Sequence, residues 1–479
     1  MTSRSEGAPE GERWLKAVRA VLKGEPLESL IHHTVEDQEI RPLYGPGPVA
    51  GRLRPRAQDG GWDVRGLAAH PDPDGANVQI LDDLEGGATS AILAIDPEGA
   101  AGCRVWSAGD LAHALQGVAP EAATIALDAG FLGVRCAEWL AGLAKASPAA
   151  KLAFHLDPLS AFAQAGSSPG PIEAHVAAAA ETDAQLSQAY PAATTFLASG
   201  RTVHEAGGSI AQELGVMAAS ALAYAEASTG AGLEVGPAFG GIVLGLSVDG
   251  DVLQSIAKLR AARDIWDRIT AACGAPAPAR IEARGSRRML TAMDPWTNLI
   301  RLTAAGFAAA AGGADAIVLP PYTDDLGPPD DRARRLSRNI QLILMEESHL
   351  GQVNDPAAGS WCIEQLTDDF AREGWAVFQA IEAQGGIADA LQSGFISNSV
   401  EAVRLAREAA IADGALAILG VTLHPDPGVR PPPVPRFEPA PSMGPAPDPR
   451  LPGPDSHCPP LPPIRIAHTA ELIAAELAT

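Results

Sequence analysis

ARIEARGSRRMLTAMDPWTNLIRLTAAGFAAAAGGADAIVLPPYTDDLGPPDDRARRLSRNIQLILMEESHLGQVNDPAAGSW, running from Ala279 to Trp361, is the stretch on which the fold turns. It opens with a short apolar strand (ARIEAR) and a turn rich in Ser and Arg. A helix opened by Asp294-Pro295 follows, then a second strand closing at Leu319 and a long helix ending near His349. Asp294 is a sound N-cap, because Pro295 at the first helical position gives up an amide that would be unpaired anyway. Strand, turn, helix, strand, helix is the unit of a parallel sheet.

The rest of the chain repeats that unit. Short apolar runs occur at Asp63–Ala68, Ser90–Ile95, Ala123–Leu127, Lys151–Leu156, Thr195–Val203, Gly241–Val248, Ala279–Arg284 and Asp315–Leu319. Segments with helical spacing lie between most of them, among them Leu132–Leu143, Ile210–Ala227 and Val252–Ala272. Strands buried on both faces read as continuous apolar runs, as these do. Eight strand–helix units, evenly spaced, predict an α/β fold of the (β/α)8 TIM-barrel type. A doubly wound open sheet is the competing architecture, weakened because no G-x-G-x-x-G follows an early strand.

The flanks differ from this core. Residues 1–61 read as a polar start, a helix over Trp14–Leu22 and an extended arm, Ile40–Gly51, broken by Pro and Gly. The barrel is expected over 62–365, with two further helices, Leu366–Gln384 and Val400–Ile418, filling 366–423. Residues 424–479 form a tail whose His424–Pro463 part is too rich in Pro for helix or central strand. It reads as an extended spacer or a strap across a partner, ending in one short helix at Ala470–Leu477.

Composition bounds the function. A net charge of -23 over 479 residues argues against nucleic acid or an anionic membrane as the main partner, though not against a local basic pocket. Cys103, Cys136, Cys273, Cys362 and Cys458 show no C-x-x-C spacing, which fits a reducing compartment and offers no zinc site. There is no signal-peptide core and no run of 18 apolar residues, so the cytoplasm is the expected location.

Several motifs, in order, resemble the adenosylcobalamin-dependent acyl-CoA mutases, methylmalonyl-CoA mutase above all. They are AKLRAARDIW (Ala257–Trp266), SRRMLT with DPWTN (Ser286–Thr291, Asp294–Asn298), SRNIQLIL (Ser337–Leu344) and DPAAGSW (Asp355–Trp361). The arm RPLYG, AFHLDPL around Asp157-Pro158 and VHEAGGSIAQEL (Val203–Leu214) agree as well. The resemblance implies a barrel that holds an acyl-CoA along its axis, with cobalamin brought onto its mouth by a separate C-terminal domain. Homolysis of the cobalt–carbon bond there is the cofactor's chemistry, which the protein orients and shields.

This chain departs from that pattern at the strand ends where the family keeps its site. The Tyr-His pair ahead of Glu205-Ala206-Gly207 is replaced by Arg201-Thr202. The Tyr of the first strand is Leu67, and the His-x-Gln of the seventh is Glu282-Ala283-Arg284. The Arg-x-Ser expected at Pro237–Gly240 is missing. The donors that would polarise a thioester are therefore gone. Asp-x-His-x-x-Gly, the cobalt-ligating signature, occurs nowhere, and a cobalamin domain needs on the order of 100 residues, so no cobalamin-binding domain is expected.

The same departures look like the small, non-catalytic subunit of a heterodimeric mutase. On this reading the chain binds no cofactor, adenosylcobalamin enters through a large catalytic subunit paired 1:1, and the complex is an isomerase of propionate metabolism. Two alternatives stay open: an active barrel borrowing cobalamin from a separate small chain, and a chaperone-like binder of a mutase component. Arg284, Arg287 and Arg288 are candidates for a vestigial grip on CoA phosphates, with ion pairing to neighbouring carboxylates as the structural reading. His70 and His204 read as hydrogen-bonded structural residues, and Trp296, Trp361 and Trp375 as packing anchors. Asp324, Asp325, Asp330 and Asp331 read as a solvated turn and a helix start, without the spacing of a calcium loop.

Overall fold

All eight apolar runs become strands, each parallel to its neighbour. In the computed structural model, which describes residues 7–34, 38–45, 56, 60–147, 149–437 and 446–477, they close into a barrel. Its strands are β1 (Asp63–Ala68), β2 (Ser90–Ala94), β3 (Thr124–Asp128), β4 (Leu152–Leu156), β5 (Thr194–Ser199), β6 (Ile242–Val248), β7 (Ile281–Gly285) and β8 (Ala316–Val318). Closure is direct, Ala316 of β8 pairing with Asp63 of β1 on one side and Glu282 of β7 on the other.

The helices, in order, are α1 (Gly7–Leu22), α2 (Pro73–Glu85), α3 (Ala108–Ala114), α4 (Gly133–Leu143), α5 (Pro158–Ala165), α6 (Ile172–Ala189), α7 (Arg201–Glu205) and α8 (Ile210–Gly230). Then come α9 (Val235–Gly240), α10 (Val252–Ala272), α11 (Asn298–Ala311), α12 (Asp331–Leu342), α13 (Trp361–Glu382), α14 (Ile387–Gln392), α15 (Phe395–Ala412) and α16 (His468–Leu477).

Local chemistry sets the starts of several. Asp72, Ser107, Asp157, Asp251 and Asp330 each accept a hydrogen bond from an amide in the first turn they cap. Ser209 and Gln212 form a reciprocal capping box at α8.

Two expectations need correction. The helix predicted to open at Asp294-Pro295 starts at Asn298 instead. Asp294 does cap, but it caps the preceding turn, accepting from Thr297 N at 3.3 Å. The Asn298 side chain is drawn inward to the carbonyls of Thr291 (2.9 Å) and Tyr322 (3.0 Å), which fixes the turn before the helix begins. The strand predicted over Thr195–Val203 stops at Ser199, because the Gly200 carbonyl accepts from Val203 N and His204 N and winds the chain into α7.

Most apolar burial lies between the barrel and its helices. Inside the barrel a thin apolar layer of Leu67, Ile92, Ala126, Ala153 and Val318 lies beside a layer of charge. On the outside, α13 crosses α8 closely at two glycines. A Cβ on Gly215 would meet Val377 Cγ1 at 2.5 Å, and one on Gly374 would meet Leu214 Cβ at 2.8 Å.

The Pro-rich tail lies along this chain's own barrel. Trp296 Nε1 donates to the Arg430 carbonyl (3.0 Å), and Phe437 sits edge-on to His70 with 4.2 Å between ring centres. Further on, tail amides donate to carbonyls of the segments that follow β4, β5 and β7: Leu451 to Pro169, Cys458 to Gly166, Leu461 to Ala163, Ile464 to Glu205 and Ile466 to Arg288. Residues 46–55, the end of the N-terminal arm, and 438–445 of the tail lie outside the described residues.

Candidate functional site

The C-terminal ends of the strands are where a barrel of this kind carries its site, and here they open onto a buried ion layer. Glu282 is fully buried on β7. Its carboxylate accepts from Arg65 Nη1 at 2.7 Å and from Arg284 Nε at 2.8 Å. Burial opposes its ionised form, but the surrounding cations, Arg284 foremost, hold the carboxyl well below the usual range. Arg284 also donates through Nη1 to Asp128 at the end of β3 (2.8 Å), while its Nη2 has no partner among the described residues.

His155 of β4 faces the same layer. Its backbone has φ 50°, at the point where the β4–β5 register shifts. Only 5% of it is exposed, neither ring nitrogen has a hydrogen-bond partner among the described residues, and Nδ1 stands 3.9 Å from Glu282. Burial pushes its pKa down to about 4, so it is neutral at pH 7.

Arg201 and Thr202 form the first turn of α7, at the rim. Burial, and after it the neighbouring Arg284, pull the Arg201 guanidinium down to about 10, still charged at pH 7. Thr202 borders a cavity of about 10 Å³ with Ser160 and Ser199, at the lower limit for one water. Leu67 packs into the apolar layer. The structure therefore brings Arg201, Glu282 and Arg284 to one end of the barrel with Leu67 beside them.

It does not bring the three predicted phosphate contacts together. Each answers to its own carboxylate: Arg284 to Glu282 and Asp128, Arg287 to Asp324, and Arg288 to Asp249 (3.5 Å). Arg288 also donates to the carbonyls of His204 (2.9 Å) and Gly208 (3.0 Å).

A second network escaped sequence reasoning. Glu213 of α8, fully buried, accepts from Lys258 Nζ at 2.6 Å and from Ser247 N at 2.6 Å. It also lies 3.2 Å from His204 Nδ1, whose Nε2 is 2.9 Å from Ser286 Oγ. Burial alone would raise the Glu213 carboxyl, yet Lys258 and His204 bring it to about 2. The available signal was a lone Glu and a lone Lys in otherwise apolar helix faces, each of which had to find the other.

Chemically the layer is self-neutralised: three guanidinium groups face Asp63, Asp128 and Glu282. No group of three or more His, Cys, Asp or Glu side chains suited to a metal occurs among the described residues. No helix among them is long and apolar enough to cross a membrane.

A profile of the family described as "Methylmalonyl-CoA mutase" matches residues 62–440. The chain is similar to the "Methylmalonyl-CoA mutase small subunit" of Streptomyces virginiae, 37% identical over 441 residues, covering 86% of this chain and 70% of that protein. The protein of the same name from Propionibacterium freudenreichii subsp. shermanii is 30% identical over 452 residues, covering 88% and 69%. The "Probable methylmalonyl-CoA mutase small subunit" of Mycobacterium tuberculosis is 35% identical over 401 residues, covering 81% of this chain and 63% of that protein.

Proposed function

The chain belongs to the methylmalonyl-CoA mutase family, and on that footing we propose that it is the small, catalytically inactive subunit of a heterodimeric mutase. The observation that carries this reading is the Arg65–Glu282–Arg284–Asp128 ion layer. Where an acyl thioester would need neutral donors, these side chains are committed to one another. Arg201 and Thr202 replace the aromatic ring and imidazole of the family's active pattern. Breaking a buried pair to admit a substrate would leave a charge uncompensated, at a cost of about 3–5 kcal/mol.

In this proposal a large subunit, paired 1:1, binds adenosylcobalamin and interconverts methylmalonyl-CoA and succinyl-CoA in the cytoplasm. When bound there, the cofactor supplies the radical. This chain's contribution is to stabilise its partner by mass action. Among the described residues the mouth offers the cofactor no free imidazole: His155 is sealed in the barrel, His204 is held by Glu213 and Ser286, and His70 meets Phe437 edge-on. We divide the chain into an N-terminal helix and arm (1–61), the barrel (62–365), helices added to it (366–423) and a wrapping tail (424–479).

The test is native purification from the source cell. A longer homologous chain eluting at 1:1, with mutase activity in the pair and none in this chain supplied with adenosylcobalamin, is the expected result. Recovery of a small cobalamin-binding chain, with turnover by the two together, would replace this reading with that of a split enzyme.

A further inference from the structure

The last segment of the tail meets the barrel at a corner crowded with charge. Asp324 and Asp325, in the turn after β8, read from the sequence as solvated, yet their side chains are only 18% and 7% exposed. Glu205 at the end of α7 and Glu471 in α16 stand close enough to act on them, which makes four carboxylates. Two guanidinium groups answer: Arg287 pairs with Asp324, and Arg465 with Glu471 at 2.6 Å. Glu205 is satisfied by Ser247 Oγ (3.1 Å) and Arg288 N (3.0 Å). The next cation, Arg301 of α11, is spent on Asn298 Oδ1 (2.9 Å) and the Leu419 carbonyl (2.7 Å).

Asp325 is the acid left over. Arg465 Nη1 stands 3.7 Å from it and is already held by Glu471, and Asp325 Oδ2 makes no hydrogen bond among the described residues. A buried carboxyl with like charges on two sides and only a shared cation is more stable as the neutral acid. Burial, and after it Asp324 and Glu471, lift the Asp325 carboxyl to about 7 against the pull of Arg465 and Arg287. Burial raises Asp324 as well.

Half of this corner belongs to the tail. Ile466 N donates to the Arg288 carbonyl at 3.0 Å, and Glu471 accepts from the amides of Ala292 (2.7 Å) and Met293 (3.0 Å). Ile466, Ala467 and Ala470 pack with Met293, Ile418 and Val421. Docking of the segment thus brings Glu471 to the two aspartates. We propose that the corner is a pH-operated latch: one proton taken up by the Asp324–Asp325 pair fastens the end of the tail to the barrel mouth, and its loss loosens it. The sign follows from linkage. The docked carboxyl binds its proton near pH 7, the freed one near its ordinary 3.8. The docking stabilised by that proton is complete below about pH 4 and is lost as pH rises through 7. The latch does not depend on the function proposed above.

The test is hydrogen exchange of the full chain between pH 6 and pH 8, expressed as protection factors so that the intrinsic pH dependence of exchange cancels. Protection at Ile464 and Ile466 is expected to fall about tenfold over that range, while β1–β3 stay unchanged. Asp325→Asn, which keeps the shape of the neutral acid, is expected to hold the pH 6 level of protection throughout. His468 is the remaining titratable neighbour, its Nδ1 3.1 Å from Arg465 Nη2, and His468→Gln is expected to leave the slope in place. A flat wild-type profile, a slope that survives in Asp325→Asn or vanishes in His468→Gln, or an equal loss across β1–β3 would each overturn the proposal.

Discussion

Glu282 is the residue on which the barrel interior balances. Glu282→Gln leaves Arg65 and Arg284 without their shared counter-ion inside a dry layer. The expected loss is about 3–5 kcal/mol of stability, read as a lower denaturant midpoint with unchanged slope. Lys258→Met acts alike on the second network, stranding Glu213. Adding Glu213→Gln is expected to restore part of that loss, a coupling that a double-mutant cycle would measure. His155 predicts a pH dependence. Its folded pKa, about 4, lies below the ordinary histidine value of about 6.5, so the unfolded chain takes up the proton first. The stability it contributes is complete above about pH 6.5 and lost as pH falls toward 4. His155→Asn, which tolerates the positive φ, is expected to flatten that limb of the curve of unfolding free energy against pH. At this scale the sequence was half legible. Glu282 and Arg284 stood out as odd residues at a strand end, but their counter-ions Arg65 and Asp128 lie 217 and 156 positions away and only the closed barrel brings them near.

Elements were more legible than contacts, because a strand buried on both faces advertises itself as an apolar run while the crossing of two helices does not. All eight strands fell where their runs predicted. The overrun of β5 came from Val203, an apolar residue that belongs to the next helix once Gly200 turns the chain. The α8–α13 crossing at Gly215 and Gly374 had no periodic signature, since a glycine in a helix reads as a weakness until its neighbour is known. Gly215→Leu is expected to push α13 outward at a cost of about 1–3 kcal/mol, measured by chemical denaturation. The tail was legible as extended chain, not as to where it lay. Glu471, in the tail's terminal helix, accepts from the amides of Ala292 and Met293 and also from Arg465 Nη1, so it ties the tail to the turn after β7. Glu471→Ala is therefore expected to speed hydrogen exchange at Ile464 and Ile466 while leaving β1–β3 protected.

For the whole molecule, the architecture and the family were readable from ordered motifs. What the chain does with its barrel depends on whether the charges inside stay paired to each other. The tail adds a matter of timing. Its amides at Ile464 and Ile466 complete hydrogen bonds to Glu205 and Arg288, residues made long before them. Between the end of β8 at Val318 and these tail residues lie about 150 positions, roughly 7–30 s of ribosomal elongation. During that interval a nascent barrel stands with all eight strands available and its belt unfastened, which is when a companion chain being made nearby would meet its rim most freely.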